Sequence, residues 1–484
     1  MTAESFFGAS QWVFLAYFIG INLGYLALNL VAIASMRRHL QAAEQLEAES
    51  LFSSLDMPIS IVMPAFNEAV SIISSVKALL QLEYSDFELI VVNDGSSDET
   101  LDKLVQAFAL RPFPEAYWAR VPCSAVRAVY RSSRHPALRV VDKENGGSKA
   151  DAVNAGINAC RYPLVCVVDA DSVLEPDSLR RVVRPFLEDP TTVAVGGTVR
   201  IANGCTIRRG FIEKVGLPRS FLALVQVVEY LRGFLFGRLG WSPLNALLIV
   251  SGAFGVFRKD ALIEVGGYDP TSIGEDMELI LRLHRRMKQM RRPYRITFVP
   301  DPVCWTDAPE TLKGLKSQRV RWQHGLGESL FRNAWLMFNP RGGSVSWLAI
   351  PFYLLFELFG PIIEVAGYAV IAAAAAAGAL SVSTALLFLA MAVALGILLS
   401  SSAVMLEELS FHLYPRTRDV LTLYLVAVLE NFGYRQLTAL WRVQGVLRWL
   451  FRGRRRHKWE SIMRTDSLSD ETQTLGRLPS APPS

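Results

Sequence analysis

Residues 11–36 place the tightest constraint on this chain, because they carry no charged side chain and contain the run WVFLAYFIGINLGYLALNLVAIAS. A helix that crosses a bilayer needs ~20 apolar residues, and this run is long enough. A secretory signal would place its basic residues ahead of a shorter apolar core; here Arg37 and Arg38 come after it. The cytoplasmic bias of Lys and Arg then puts the chain from residue 37 onward inside and the N-terminus outside. Whatever follows must fold beside a membrane anchor.

Apolar sequence returns after residue 346. Trp347–Leu380, broken by Pro351 and Pro361, and Thr384–Leu406 read as two more membrane segments. The uncharged loop Ser381-Val382-Ser383 suits the far side, and Arg416 and Arg418 suit the cytoplasm. Val420–Leu440 carries Glu430, Asn431 and Arg435. If it crossed fully, the basic run Arg452–Lys458 would end up outside, so an interfacial or re-entrant segment with a cytoplasmic tail is expected. Glu357 and Glu364 fall on one helical face. Either they lie near the membrane surface, paired with Arg435 or Arg442, or they line a polar path through it. The last residues, from Asp466, have a disordered composition.

With 51% hydrophobic and 20% charged residues, the composition suits a soluble domain joined to membrane segments. The net charge of +5 lacks the dense basic face of a nucleic-acid binder, and no nucleic-acid partner is expected. Cys123, Cys160, Cys166, Cys205 and Cys304 form no CxxC pair, which argues against a disulfide framework or a zinc site. His284 and His324 read as ordinary helix residues.

From Ile59 to about Val303, short apolar runs alternate with amphipathic stretches. Residues 59–64, 87–94, 138–143 and 164–171 read as strands. Ala69–Leu82, Glu99–Phe108 and Ala150–Cys160 read as helices, and Arg111–Pro136 reads as an insertion. This βαβ series predicts an α/β fold with a mostly parallel sheet, whose ligands bind beyond the carboxyl ends of the strands. Asp94, Asp142, and the pair Asp169 and Asp171 fall at such ends. No GxGxxG follows the first strand and there is no Walker loop, which argues against dinucleotide oxidoreductases and P-loop ATPases.

Three sites carry chemistry. Asp169-Ala170-Asp171 is either turn chemistry or a pair of hard oxygen ligands for Mg²⁺ or Mn²⁺ shared with a substrate diphosphate. Gly274-Glu275-Asp276 opens the stretch MELILRLHRRM, where Asp276 can cap a helix, serve as a general base, or do both. In Gln318-Arg319-Val320-Arg321-Trp322, two arginines can neutralise a diphosphate and the Trp can stack on a sugar ring. The competing reading is a basic amphipathic helix on the membrane. Phe211–Trp241, apolar with interspersed Arg and Glu, suits the membrane surface or a core helix.

Taken in order, Pro64-Ala65-Phe66-Asn67-Glu68, Asn93-Asp94-Gly95-Ser96-Ser97-Asp98, Gly146-Gly147-Ser148-Lys149-Ala150-Asp151, the Asp169/Asp171 pair, Gly274-Glu275-Asp276 and the Gln-x-x-Arg-Trp ending at Trp322 resemble the family 2 glycosyltransferases. That group includes bacterial cellulose, chitin, hyaluronan and poly-N-acetylglucosamine synthases. The resemblance runs from Ile59 to about Gly325 and implies a GT-A-type nucleotide-sugar-binding domain flanked by transmembrane helices. It implies that Ala65, Glu68 and Asp94 surround the nucleoside and that Lys149 lies beside the nucleotide or its phosphates. Asp169 and Asp171 would hold Mg²⁺ or Mn²⁺, with Asp169 also meeting the nucleotide. Asp276 would be the catalytic base. Glu275, Gln318, Arg319 and Arg321 would face the acceptor and diphosphate, with Trp322 stacking on the acceptor sugar. Many relatives have Thr where this chain has Gly274.

The implied reaction is inverting, metal-dependent transfer from a UDP-sugar, with UDP-N-acetylglucosamine and UDP-glucose the leading donors. The acceptor would be a growing saccharide at the cytoplasmic face of a bacterial inner membrane, in contact with membrane lipids and open to secretion partners. Transfer of a single sugar to a lipid acceptor is an alternative. An inactive scaffold of a secretion complex is another, against which the retained carboxylates argue. The expected layout is a transmembrane helix over 1–36, a linker over 37–57 and the cytoplasmic transferase domain with interfacial helices over 58–336. A membrane region over 337–451 and a basic, then disordered, tail over 452–484 follow.

Overall fold

In β1 (Ile59–Ala65) every residue is buried, as expected of a mostly apolar run flanked on both faces in a parallel sheet. The computed structural model describes residues 3–49, 56–114, 117–378 and 382–452; the tail expected after residue 452 lies outside these. The strands that follow are β2 (Phe87–Asn93), β3 (Leu110–Pro112), β4 (Val126–Ser132), β5 (Leu138–Lys143), β6 (Leu164–Val168), β7 (Val173–Leu174) and β8 (Thr192–Ile201). A separate hairpin, β9 (Thr206–Arg208) and β10 (Phe211–Lys214), precedes β11 (Phe254–Arg258) and β12 (Arg295–Thr306). The main sheet has the order β3-β4-β5-β2-β1-β6-β11-β8-β12-β7. Its centre, β5-β2-β1-β6, is parallel, and β11 enters antiparallel between β6 and β8.

All four expected strands are present. The expected insertion forms β3 and β4, an antiparallel edge on β5. The helix Lys149–Ala159 lies directly on β1 and β2, and a side chain at Gly156 would sit 2.3 Å from Val62. This close approach holds the start of the helix, and Lys149 with it, beside the carboxyl ends of the strands.

The N-terminal helix runs from Ala3 to Glu49, so most of the stretch expected as a linker is helical. Among the described residues, three helices are long and apolar enough to cross a membrane: Trp12–Gln41, Val345–Ala376 and Leu389–Ser410. Val420–Leu440 is divided between the helices Thr417–Leu429 and Tyr434–Arg452. Phe211–Trp241 differs from a single surface helix. It starts as strand β10, forms the helix Phe221–Leu231, winds as a π-helix over Arg232–Arg238 and ends in a turn at Leu239–Trp241. One side of Phe221–Leu231 packs on β8 and another on the helices Val382–Ser410 and Thr417–Leu429. The segment therefore separates the sheet from the apolar helices.

Charged ties cross this boundary. Arg200 on β8 pairs with Glu407, and both are buried. Arg232 and Arg435 converge on the buried Glu430 at 2.6 and 2.8 Å, and His39 meets Asp301 at 2.7 Å. Removing one partner of a buried pair costs about 3–5 kcal/mol because the other charge is stranded. Glu407→Leu should lower the unfolding midpoint of the protein in detergent by roughly 5 °C or more, and Arg200→Met combined with Glu407→Leu should recover most of that loss. Unchanged melting in the single variant would show that the pair does not tie the sheet to the apolar helices.

Candidate active site

The carboxyl ends of β1 and β6 open onto a cavity of about 1400 Å³ whose wall continues along the apolar helices. Asp169 follows β6, and the bond from Ser172 N to Asp169 O (3.1 Å) closes the turn that carries Asp169 and Asp171. Both carboxylates line the cavity. Lys149, the first residue of its helix after the Ser148 cap, pairs with Asp169 and donates to Gly252 O at 2.7 Å. Burial works against the Lys149 ammonium, but the charges of Asp169, Glu275 and Asp276 outweigh it and hold its proton more firmly than in free lysine.

Glu275 and Asp276 open the helix Glu275–Met290. Burial, reinforced by the Asp276 charge, pushes the Glu275 carboxyl up to about 7, while Lys149 and Arg321 pull the other way. A carbon added at Gly252 would stand 3.6 Å from Lys149 Nζ and 3.7 Å from Asp276 Oδ2. The ammonium and the carboxylate therefore occupy one side of the Ser251-Gly252 loop. Asp276 Oδ1 accepts from Met277 N at 2.8 Å, so the helix start fixes the carboxylate.

Gln318, Arg319, Arg321 and Trp322, on the helix Leu312–Arg332, form the facing wall. Arg319 pairs with Glu229 and lies 4.6 Å over the Trp322 ring, so it braces that ring. Arg321 acts on Glu275. Trp322 lines the cavity and is 44% exposed. Two glycines set the distance between the walls: a side chain at Gly325 would be 3.0 Å from Gly274 backbone, and one at Gly274 would be 3.1 Å from Gly325. Farther out, Tyr25 donates to Glu357, which Arg442 pairs at 2.8 Å, and Gln323 accepts from Arg442 at 2.9 Å.

Of the residues singled out in the sequence, Glu68, Lys149, Asp169, Asp171, Glu275, Asp276 and the four from Gln318 to Trp322 share this cavity. Ala65 and Asp94 lie behind its wall, fully buried. Asp94 is paired with Lys143 and accepts from Gly146 N at 3.1 Å, while its Oδ2 has no hydrogen-bond partner among the described residues. Burial pushes the Asp94 carboxyl up, against the pull of Lys143. Asp142 accepts from Asn93 at 2.7 Å and belongs to the interior. Sequence reasoning missed Arg238, Glu229 and the Ser251-Gly252 loop. The Ser-Gly pair between two apolar runs was a turn signal, but Arg238 and Glu229 had no motif around them.

Asp169 and Asp171 fit a hard divalent cation that is also held by a substrate diphosphate. Both carboxylates line the cavity, Asp169 in an ion pair with Lys149, and no group of three or more His, Cys, Asp or Glu side chains poised for a metal occurs among the described residues. Such a pair holds Mg²⁺ or Mn²⁺ only when phosphate oxygens complete the shell.

Comparison with known proteins adds family and fold. Poly-beta-1,6-N-acetyl-D-glucosamine synthases from Staphylococcus epidermidis and Staphylococcus aureus are 30% and 31% identical over 277 residues, 57% of this chain and 56% of each relative. The chain thus spans about half the length of these curated relatives. A mannosyltransferase from Pyrobaculum calidifontis, solved with GDP-Man and Mn²⁺, shares the GT-A-like fold with a TM-score of 0.50 at 18% identity, covering 89% of this chain and 99% of that one. The family described as "Glycosyltransferase like family 2" matches residues 57–325. That match spans more than half of the chain and contains the site residues from Ala65 to Trp322, so the chain belongs to the family 2 glycosyltransferases.

Proposed function

We propose that this membrane protein catalyses inverting, metal-dependent transfer from a UDP-sugar, with UDP-N-acetylglucosamine the leading donor, to a growing saccharide at the cytoplasmic membrane face. The observation that carries this reading is the single cavity joining Lys149, Asp169 and Asp276 to Trp322 and then to the apolar helices. A site for one small acceptor has no need of a wall that long. The names of the staphylococcal synthases favour N-acetylglucosamine and a polymeric product. Arg37 and Arg38 after the first apolar run favour a cytoplasmic site.

In this reading, Asp276 Oδ2 takes the proton of an acceptor hydroxyl as its oxygen bonds to the anomeric carbon from the face opposite the donor diphosphate. The bond between that carbon and the diphosphate oxygen breaks, and its electron pair leaves with UDP. A single displacement inverts the carbon. Lys149 and Arg321 offset the charge that builds on the leaving group. A cation held by Asp169 and Asp171 would supply further charge neutralisation at the diphosphate. Stacking on Trp322 holds a sugar through its face without fixing its register, which allows the product to slide after each addition.

Asp276→Asn keeps the shape of the side chain and removes the base. UDP-sugar binding should survive while UDP release falls by ~10²-fold or more; near-wild-type turnover would sink the assignment. Activity should disappear in EDTA and return with Mg²⁺ or Mn²⁺, and Asp171→Ala should weaken metal-dependent UDP binding. Turnover in rigorously metal-free buffer would overturn the metal reading. Trp322→Ala should shorten the product far more than it weakens donor binding, and Trp322→Phe should retain part of the activity. Equal loss of both, or of neither, would make Trp322 a membrane anchor instead. Sizing the product separates a polymer from single-sugar transfer to a lipid.

A further inference from the structure

Arg238 belongs to none of the motifs, yet it lines the same cavity. Its guanidinium lies over the Phe234 ring, 3.6 Å from the centroid. Its Nη1 is shielded from solvent and has no hydrogen-bond partner among the described residues. Burial pushes the guanidinium down to about 10, with Asp276 opposing the shift, so it stays charged at neutral pH. A shielded donor left without a partner is costly, and neighbouring arginines are paired: Arg232 with Glu430 and Arg319 with Glu229. Arg238 also ends the seven-residue π-helix Arg232–Arg238. This winding is rare and is frequently found at functional sites.

The position of Arg238 points to its ligand. The groups acting on it are Asp276, Tyr353 and Tyr230, whereas Lys149 is bound to Asp169 and Gly252. Asp276 therefore has a donor-side cation, Lys149, and a second cation, Arg238, on the side of Tyr353 and the apolar helices. A guanidinium is a planar fork that donates to two oxygens at once, and the Phe234 ring holds that plane in place. Neighbouring oxygens of a sugar ring, or a ring oxygen beside an acyl carbonyl, match this spacing.

We propose that Arg238 binds the acceptor saccharide, donating hydrogen bonds to two oxygens of the sugar whose free hydroxyl faces Asp276. The assignment rests on the reading above, in which the acceptor is a saccharide. It adds an acceptor subsite on the membrane side of the base, distinct from the stacking face of Trp322.

The test uses the full-length protein in detergent, loaded with UDP, and titrates a β-1,6-linked N-acetylglucosamine pentamer by calorimetry. Arg238→Met should weaken pentamer binding by ~10-fold or more, the loss expected for hydrogen bonds from a charged donor. Arg238→Lys should recover part of it, and UDP affinity should hold in both. In turnover, the acceptor KM should rise while the donor KM does not. Unchanged pentamer affinity in Arg238→Met overturns the proposal, as does an equal loss of UDP affinity, which would place Arg238 on the diphosphate. If Arg238→Met gives no folded protein, Arg238→Lys decides by the same two measurements. Asp276→Asn, run alongside, should bind the pentamer normally and fail to extend it. Full extension by that variant would remove the base assignment and leave the Arg238 result standing, whereas a wild-type protein that binds no pentamer would overturn both the substrate reading and this subsite.

Discussion

The site depends on a backbone contact. Gly274, before the acidic pair, and Gly325, on the helix that carries Trp322, approach so closely that a side chain on either would meet the other's backbone at 3.0–3.1 Å. Interiors are packed too densely to absorb such an intrusion without displacement. The contact brings the start of one helix against the middle of another, so the carboxylates and the arginine–tryptophan wall face each other across one cavity. It also gives a physical reason for the departure noted in the sequence. Where relatives carry Thr, this chain has no space for a branched side chain, and the space is taken by the facing helix.

That helix is fixed from behind in the same way. A side chain at Gly327 would strike Trp449, and one at Gly445 would meet Gln323 and Val320 O. Gln323 then bonds to Glu357 O and Leu358 O at 2.8 and 3.1 Å. The chain of contacts runs from Asp276 through Leu312–Arg332 to Tyr434–Arg452 and the apolar segment at Glu357. Position and polarity are thus transmitted together from the chemical site to the membrane boundary.

Much of this was legible in the sequence because of its periodicity. Fully buried parallel strands read as continuous apolar runs, and β1, β2, β5 and β6 appeared where those runs predicted. The interface was harder to read. Phe221–Leu231 is apolar on several faces because it packs on both the sheet and the apolar helices, so its composition suited a surface helix and a core helix equally. The helix Ala3–Glu49 outlasts its apolar core, and hydropathy marks the core alone. At the site, motif residues announced themselves, whereas Arg238 is a single arginine in an apolar stretch. Asp94 and Asp142 carry the same signal as Asp169 and Asp171. Acidic strand ends look alike in sequence, but Lys143 and Asn93 engage these two inside the domain, and the Asp169/Asp171 pair reaches the cavity.

The arrangement of charge also bears on what the cavity can bind. A Glu275 carboxyl near 7 holds its proton for a large part of the time at neutrality, so the Glu-Asp pair carries less negative charge than two free carboxylates would. In the proposed reaction this would reduce repulsion toward a donor diphosphate placed between Lys149 and Arg321. The protonated Glu275 can also donate a hydrogen bond, which an ionised carboxylate cannot. Lys149 opposes both conditions, because it pulls Glu275 toward ionisation, while its own proton is held by the charges of Asp169, Glu275 and Asp276. Removing that lysine would therefore alter the protonation of Glu275 as well as the positive charge beside it, and in the proposed reaction the two effects would act together on donor binding.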